Sequence, residues 1–530
     1  MMNSVSSDST TSDSEFPKAP KKAILDEFIK FGYFYIPFMF YQQLMVLVLT
    51  SSFLFTTFGS RLPAISKCGE ENFESIHPTK QCKHLEEIHA SGSNCTPVFN
   101  NDFWSLPQEL NYYCDTAYIV KRATTIQMIG QFVGECIAGQ LSDMFGRKKI
   151  LIAGIVGMLG SLIGVSFTAD LIWYSVAMFF MAVFSSYLVT VDTAYFVEMV
   201  PQKHVIWGFM FIGFSPNVIV FAGLAWISHD FRTLARVCAG ITAALLVMQI
   251  WCPESARWLL QKRQLEDAKN VVKRIHKWNR TLTMKKSIEL DLAFFKEGHE
   301  IAYREERENE INPNSRKKFY FYHLFLTSTM IKQILTMCFM YTTFYLGYYA
   351  LVFNMELLPG NVFINTAIMG ASRWVINILY GIVDIKYSNI GRKPTTSGII
   401  KLALFFCLVV AVMAIFEIQI AFLTAVCFIV MGALSSHIFI IVGVVAGEVF
   451  PTPVRNGAIG MVHFFGRIGL IIAPLFFHAF DFYPPAAFIL IFVLFIVGHV
   501  LFELFVPETK GVPLNDKMPD ENEWLWGKRA

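Results

Sequence analysis

The stretch GQLSDMFGRKK, residues 139–149, separates two long apolar runs. Its Gly146-Arg147-Lys148 recurs as Gly391-Arg392-Lys393 in the second half of the chain, again between apolar runs. Two further polar motifs repeat in the same order: EMVP at 198–201 with EVFP at 448–451, and PES at 253–255 with PET at 507–509. Repetition of this kind indicates a membrane protein of two parallel halves with a substrate site between them.

The composition agrees with a chain that lies mostly in a membrane. Hydrophobic residues make up 54% of the chain and charged residues 16%, whereas soluble domains carry about 25% charged residues. The net charge of +3 is too small to indicate a nucleic-acid partner. The lipid bilayer is therefore a predicted partner, and nucleic acid is not.

Twelve apolar runs are each long enough to cross a bilayer as a helix, which takes about 20 residues. The predicted spans lie near 33–55, 116–140, 150–168, 171–196, 206–228, 233–252, 331–353, 362–384, 396–415, 419–446, 457–478 and 486–506. The predicted fold class is an all-α membrane protein with twelve transmembrane helices in two six-helix halves.

The charges of the short loops predict the orientation. Lysine and arginine concentrate in the loops that follow the even-numbered spans, and cytoplasmic loops carry such an excess. Both termini are therefore predicted to be cytoplasmic. The predicted domains are a disordered cytoplasmic tail at 1–30, an N-terminal half at 31–252, a cytoplasmic linker with amphipathic helices at 253–330, a C-terminal half at 331–506 and a cytoplasmic tail at 507–530.

The long loop at 56–115 is predicted to be extracellular. It holds Cys68, Cys82, Cys95 and Cys114. Four cysteines in one external loop predict two disulfides, with three pairings open. Asn94 begins the N-glycosylation sequence Asn-Cys-Thr in the same loop.

The repeated motifs resemble those of a known family. GQLSDMFGRKK resembles the signature of the loop between spans 2 and 3 in the major facilitator superfamily. Three further stretches narrow the resemblance to the organic cation, anion and zwitterion transporters of the solute carriers: PESARWLL at 253–260, GEVFPTPVRN at 447–456 and PETKGVPL at 507–514. The resemblance implies a multi-pass transporter, in the plasma membrane, that works by alternating access without a cofactor or metal.

The same resemblance assigns the polar motifs to cytoplasmic gates. Asp143 is expected near Arg147 and near the N-terminus of a neighbouring helix, where charge and helix dipole hold the inner face shut. The alternative is that these charges only anchor helix ends. The predicted gating residues are Asp143, Arg147, Lys148, Glu198, Arg257, Arg392, Glu448, Arg455 and Glu508.

Four charged residues lie deep in predicted spans: Glu135, Asp192, Arg373 and Arg467. A charge at the bilayer centre costs at least about 2.5–3.5 kcal/mol, so such residues face the interior of the helix bundle. The family carries arginine at the position of Arg467 in its anion and carnitine-type branches, which implies a grip on a carboxylate. For Arg467, a structural ion pair with Glu135 or Asp192 is the alternative. For Arg373, which lies nearer the outer half of span 8, the alternative to a ligand contact is a side chain that snorkels toward the membrane surface.

Two further side-chain patterns complete the predicted substrate site. Gln127, Gln131 and Glu135 share one face of span 2, where they either line the central cavity or pack against other helices. Tyr341, Tyr345 and Tyr348 of span 7 suit an aromatic cage around a flat or quaternary-ammonium solute. An ordinary packed helix is the alternative.

The balance of two acidic and two basic residues in the membrane favours organic anions or zwitterions similar to carnitine. An organic cation transporter is the alternative, and a sugar transporter or a non-transporting receptor ranks lower. Sugar transporters carry a paired-glutamine segment in span 7 that this chain lacks. The chain shows no phosphate-binding loop, metal-spaced His/Cys set or nucleophile elbow, so it is predicted not to be an enzyme. A coupling ion or an exchange substrate is left open as a further partner.

Overall fold

A computed structural model describes residues 31–63, 65–73, 78–90, 95–99, 102–201, 204, 208, 213–295, 321–355, 358, 360–387, 391–418, 420–477, 480, 483, 485–510, 518–519, 522 and 524–525. The predicted disordered tail at 1–30 and the sequon residue Asn94 lie outside these residues.

Twelve long helices lie at the positions of the twelve predicted spans, within the part of the chain that the structure describes. They are α1 (Tyr35–Gly59), α2 (Ala117–Phe145), α3 (Arg147–Ser166), α4 (Leu171–Met199), α5 (Phe214–Ser228), α6 (Phe231–Trp251), α7 (Ser328–Phe353), α8 (Val362–Lys386), α9 (Arg392–Ile415), α10 (Ala421–Val449), α11 (Thr452–Ile472) and α12 (Pro485–Phe505). Ten of the described helices, all except α2 and α5, are long and apolar enough to cross a membrane by length and composition.

Helices α1–α6 pack together as an N-half, and α7–α12 pack together as a C-half. Close approach within each half depends on glycine. A Cβ on Gly134 of α2 would lie 2.5 Å from the carbonyl oxygen of Val183 on α4. Gly469 of α11 plays the same part in the C-half, because a Cβ there would meet the carbonyl oxygen of Thr342 on α7. Small residues at such crossings let helix backbones approach closely.

The two halves meet along three helix pairs, α1 with α7, α2 with α11 and α5 with α8. The α5–α8 contact is tight: a Cβ on Gly370 would lie 2.9 Å from the Cβ of Val218. These six helices therefore surround the boundary between the halves, and the candidate site lies among them.

The segment between α1 and α2 contains secondary structure that the sequence pattern does not predict. A small antiparallel sheet has the order β2-β1-β3, with β1 at Ile65–Cys68, β2 at Glu71–Asn72 and β3 at Pro97–Phe99. Two short helices accompany it, Pro78–Ala90 and Leu106–Glu109. The end of the bundle that carries this segment is called the disulfide face below, and the opposite end, which carries Arg147 and Arg392, is called the basic face.

Two disulfides tie this segment together, as the sequence predicts. Of the three pairings, the structure has Cys68 with Cys95 and Cys82 with Cys114. Cys68 lies in β1 beside Phe73 and Leu85 in a small core of its own. The segment is too small to bury much apolar surface, so crosslinks supply the stability that its core cannot.

The linker on the basic face contacts both halves: its first helices dock onto the N-half, and its 3₁₀ turn contacts α7 and α11 of the C-half. It contains the helices Ala256–Gln261 and Leu265–Trp278, a helical segment at 284–295 and a short 3₁₀ turn at Phe321–Phe325. The Asn279 side chain accepts a hydrogen bond of 2.8 Å from the backbone N–H of Phe34 at the start of α1. Arg274 donates to the carbonyl oxygen of Trp251 at the end of α6, at 2.8 Å.

Several helices begin earlier or end later than the apolar runs indicate. α2 continues to Phe145, α3 begins at Arg147 and α9 begins at Arg392, because a helix continues in its polar residues beyond the hydrocarbon core. The first N–H groups of α3 and α9 also find acceptors on other segments, which allows each helix to begin at a charged residue.

Candidate functional site

Five aromatic rings pack together where α7 faces α10, and we call them the tyrosine cluster: Tyr341, Tyr345, Tyr348, Tyr349 and Phe439. The Tyr345 ring centroid lies 4.8 Å from that of Tyr341 and 4.5 Å from that of Phe439. The Tyr341 hydroxyl lies 3.3 Å from Nδ1 of His463 on α11. The three predicted cage tyrosines therefore share one cluster, to which the sequence pattern did not assign Phe439.

Arg467 on α11 binds Glu135 on α2 across the boundary between the halves. Its Nε donates to Glu135 Oε2 at 2.6 Å, and its Nη2 donates to Oε1 in the same bidentate pair. The guanidinium carbon also lies 5.5 Å from the centroid of the Tyr345 ring. The sequence leaves two roles open for Arg467, a ligand contact and a structural ion pair. The structure shows the ion pair with Glu135.

Arg373 on α8 has a different environment. Its Nη1 donates to the Tyr348 hydroxyl at 2.5 Å. Its guanidinium carbon lies 5.1 Å from the ring centroids of both Phe214 on α5 and Tyr348. Among the described residues it has no carboxylate within ion-pair distance, and its buried Nε has no hydrogen-bond partner. Among the described residues, the charged side chains that contact the tyrosine cluster or its ion pair are therefore two guanidinium groups and one carboxylate.

The other predicted substrate residues lie inside the N-half. Gln127 donates to the backbone oxygen of Ser52 on α1 at 2.7 Å, and the backbone oxygen of Gln131 accepts from Ser186 on α4 at 2.8 Å. Asp192 accepts from Gln42 on α1 at 3.1 Å. The structure thus separates Asp192 from the Arg467–Glu135 pair, with which the sequence groups it.

On the basic face, the predicted gating residues of the N-half form one network around Arg147. Its Nη1 donates to Asp143 Oδ1 at 2.6 Å, and its Nη2 donates to Glu198 Oε1 at 3.1 Å. The Asp143 side chain is 69% exposed, so it is not buried against a neighbouring helix end. The backbone N–H of Lys148 donates to Glu254 at 3.1 Å.

The C-half repeats this arrangement. Arg392 pairs with Glu448, as Arg147 pairs with Glu198. Glu508 accepts from the backbone N–H groups of Arg392 at 2.9 Å and Lys393 at 3.0 Å, as Glu254 accepts from Lys148. The repeated motifs therefore do the same physical work in each half: an acidic residue from a distant segment caps the third helix.

Gly146 is required in the N-half network for a steric and a conformational reason. Its φ of 106° and ψ of 154° lie in a region that only glycine adopts readily. A Cβ at Gly146 would also lie 2.5 Å from Glu254 Oε2. The turn between α2 and α3 therefore needs glycine for Glu254 to reach the start of α3.

The two capping glutamates differ in their electrostatics. Burial raises the pKa of Glu254, although the N–H groups of Ser255 and Lys148 oppose this. For Glu508, burial also raises the pKa, but hydrogen bonds from four backbone N–H groups outweigh it and hold the pKa below its usual range. The charged form of Glu508 is thus stabilised more than that of Glu254.

The remaining predicted gating residues lie at the same face. Arg257 belongs to the short helix Ala256–Gln261, and Arg455 on α11 donates to the backbone oxygen of Phe450 at 3.4 Å. In the described parts of the chain, each ion pair of the basic face lies within one half. Sequence reasoning expects these charges to hold the face shut.

Besides the Arg467–Glu135 pair, further contacts that join the halves lie toward the disulfide face. Lys121 on α2 is 2% exposed and donates to the carbonyl oxygen of Phe353 on α7 at 2.8 Å. Thr57 on α1 donates to the oxygen of Val352 at 3.4 Å. The Phe58 and Phe363 rings stack with their centroids 5.1 Å apart. Sequence reasoning missed Lys121, although a lysine near the start of a predicted span is a visible signal.

Comparison with known proteins agrees with this architecture. A family described as "Sugar (and other) transporter" matches residues 87–519. Solute carrier family 22 member 16 of Xenopus laevis is 25% identical over 423 residues, which cover 79% of this chain and 71% of that relative. Solute carrier family 22 member 11 of Homo sapiens is 25% identical over 414 residues, 77% of this chain and 71% of the relative.

A solved structure shows the same fold. The inward open conformation of the xylose transporter XylE from E. coli superposes with a TM-score of 0.59 and covers 90% of this chain and 97% of that one. The two chains are 14% identical, so the likeness concerns the fold alone. The predicted major facilitator fold, with two six-helix halves, is confirmed.

Proposed function

Since the chain belongs to the family of sugar and other transporters, we propose that it carries small organic anions or zwitterions across the plasma membrane by alternating access. Arg373 is the observation that supports this charge class. A guanidinium group inside a membrane is costly unless it is paired, and among the described residues Arg373 has aromatic faces and a hydroxyl but no carboxylate. The carboxylate of a substrate would complete its coordination.

The tyrosine cluster supports a substrate with an apolar or flat body. Its rings present both apolar surface and hydroxyl groups, as ligand pockets in proteins commonly do. Glu135 and the buried glutamines Gln127 and Gln131 of α2 would form the neighbouring wall on the N-half side, with Arg467 of α11 bound to Glu135. Asp192 is a weaker candidate for a substrate contact, because its carboxylate accepts a hydrogen bond from Gln42.

We assign the basic face to the cytoplasm and the disulfide face to the exterior, in accord with the positive-inside rule. In this assignment the contacts of Lys121, Thr57 and Phe58 close the outer side. When the inner side closes, the network around Arg147 in the N-half would come into contact with the network around Arg392 in the C-half. Flux would proceed by exchange, facilitated diffusion or sodium symport. An exchange substrate or a coupling ion would then be a further partner.

The test is uptake of four labelled solutes by cells expressing the protein: an aromatic carboxylate, carnitine, a quaternary ammonium ion and xylose. We expect saturable uptake of the carboxylate or carnitine. Arg373→Gln should raise the KM for that solute about 10- to 100-fold, since a hydrogen bond to a charged group is worth about 1.5–3 kcal/mol. Arg373→Lys should retain part of the affinity.

Arg236→Gln is the matched control, because Arg236 is an exposed arginine of α6 outside the site. Uptake of the quaternary ammonium ion alone, unchanged in Arg373→Gln, would favour a cation carrier that uses Glu135 and the aromatic cage. Uptake of xylose alone would overturn the charge argument altogether.

A further inference from the structure

Below Arg373, toward the basic face, α8 carries a line of polar residues that the proposed function does not use. Arg373, Asn377 and Tyr380 stand at positions i, i+4 and i+7 and therefore share one face of the helix. The rise of a helix separates Asn377 from Arg373 by about 6 Å and Tyr380 from Arg373 by about 10 Å along the axis.

His437 on α10 lies against this line. Its ring centroid is 3.9 Å from that of Tyr380, and the residue is 1% exposed. At the other end of the line, Arg373 donates to the hydroxyl of Tyr348, which belongs to the tyrosine cluster. The line of polar residues therefore adjoins the candidate substrate site.

Buried polar atoms without partners concentrate here. Within the described chain, neither Nδ1 nor Nε2 of His437 has a hydrogen-bond partner, and the same holds for Asn377 Oδ1 and Arg373 Nε. Most buried polar atoms in proteins are paired, so an unpaired group needs an explanation. His463, which also lies close to the cluster, is paired with Tyr341. Among the described histidines, His437 alone has both ring nitrogens buried and unpaired.

These atoms match a neutral hydroxyl or amide. A neutral imidazole offers one donor and one acceptor, and the Asn377 oxygen offers a further acceptor. A hydroxyl group both donates and accepts, so it can satisfy an imidazole nitrogen and the amide oxygen together. A second carboxylate would instead face the Asn377 oxygen and only one donor.

From this geometry we infer that Asn377 and His437 form a subsite for a neutral hydrogen-bonding group of the substrate, about one to two helical turns from the carboxylate held by Arg373. The preferred solutes are organic anions with a hydroxyl or amide at the end remote from the carboxylate. This inference rests on the proposed function, because it needs an anion at Arg373.

The experiment compares two probes that differ in one hydroxyl, 3-phenylpropanoate and 3-(4-hydroxyphenyl)propanoate. We expect the wild type to take up the hydroxylated probe with a KM about 10- to 100-fold lower, because the plain probe leaves the buried atoms of the subsite unpaired. His437→Leu and Asn377→Leu should each reduce this ratio toward one while uptake of the plain probe persists.

His499→Leu is the matched control, since His499 lies on α12 of the same half and is partly exposed. It should keep the wild-type ratio. Thermal stabilisation of the purified protein by each probe gives a readout that does not depend on flux.

Equal KM values for the two probes in the wild type would overturn the subsite, and so would a ratio that survives both His437→Leu and Asn377→Leu. In either case water, not substrate, satisfies these atoms. Absence of uptake and of thermal stabilisation for both probes, with uptake of another solute class, would instead overturn the proposed function.

Discussion

The ammonium group of Lys121 on α2 donates a hydrogen bond of 2.8 Å to the carbonyl oxygen of Phe353, the last residue of α7. The two residues belong to different halves. The last carbonyl groups of a helix lack partners within the helix and carry a partial negative charge, so they attract a cation. This bond must break whenever the halves separate at the disulfide face, which makes Lys121 a determinant of the balance between transport states.

Lys121→Met should therefore open the disulfide face more often. The variant Phe53→Cys reports the opening, because the Phe53 ring lies behind these contacts, 6.2 Å from the ring of Tyr349. In a Cys136→Ser background, its labelling rate with a membrane-impermeant maleimide should rise about tenfold, since a hydrogen bond from a charged group is worth about 1.5–3 kcal/mol.

Arg122→Met is the control for this experiment. Arg122 has the same charge, adjoins Lys121 in sequence and is exposed, with its guanidinium over the Tyr118 ring at 4.7 Å. An equal rise in labelling in both variants would show that net charge at this face, and not the bond to Phe353, controls opening.

Removal of one partner of the Arg467–Glu135 pair should destabilise the protein more than removal of both. Arg467→Met leaves a largely buried carboxylate without its cation, which costs about 3–5 kcal/mol, whereas apolar replacement of both partners is often neutral. We expect Arg467→Met to lower the melting temperature and the surface yield. Arg467→Met/Glu135→Leu should recover most of the loss.

A double variant as unstable as Arg467→Met would contradict this account of the pair. Uptake by the recovered double variant then distinguishes a structural role of Arg467 from a role in substrate binding. Substrate uptake that stays absent after stability returns would mean that Arg467 also contacts the solute.

Gly146→Ala should destabilise the N-half by about 1–3 kcal/mol, because its backbone conformation is confined to glycine. The Cβ would also displace Glu254 from the start of α3. Melting of the detergent-solubilised protein measures the effect. Gly139→Ala is the control, since a Cβ at Gly139 meets nothing within 4 Å, and it should be neutral or slightly stabilising. Equal melting temperatures for Gly146→Ala and Gly139→Ala would contradict this prediction.

The two capping glutamates should respond differently to pH. The pKa of Glu508 is lowered in the folded state, so its contribution is present at neutral pH and is lost as the pH falls through that pKa. The pKa of Glu254 is raised by burial, so its charged form is disfavoured at neutral pH and its protonation on acidification is favourable.

Glu508→Gln should therefore destabilise the protein by about 1 kcal/mol at neutral pH, with a smaller effect from Glu254→Gln. The difference between Glu508→Gln and the wild type should shrink as the pH falls. Melting curves across the acid range provide the measurement, and a difference that grows on acidification would contradict the assigned direction.

The sequence by itself determined the spans, the two-half repeat and the presence of two disulfides. Each follows from properties that are local in the chain: the transfer of about 20 consecutive apolar residues into lipid, motif recurrence, and the cysteine content of one loop. The motif around Arg147 also indicated its ion partner Asp143, because the two residues lie four positions apart on either side of one short turn between α2 and α3.

Only the tertiary structure decided which distant groups meet. Arg467 pairs with Glu135, 332 residues away, and not with Asp192. Arg373 lies between rings from α5 and α7, Cys68 pairs with Cys95, and the two ring nitrogens of His437 have no hydrogen-bond partner among the described residues. These choices depend on helix packing to within an ångström or so, because hydrogen bonds and ion pairs weaken steeply with distance and angle. The number of apolar residues in a run carries no such information.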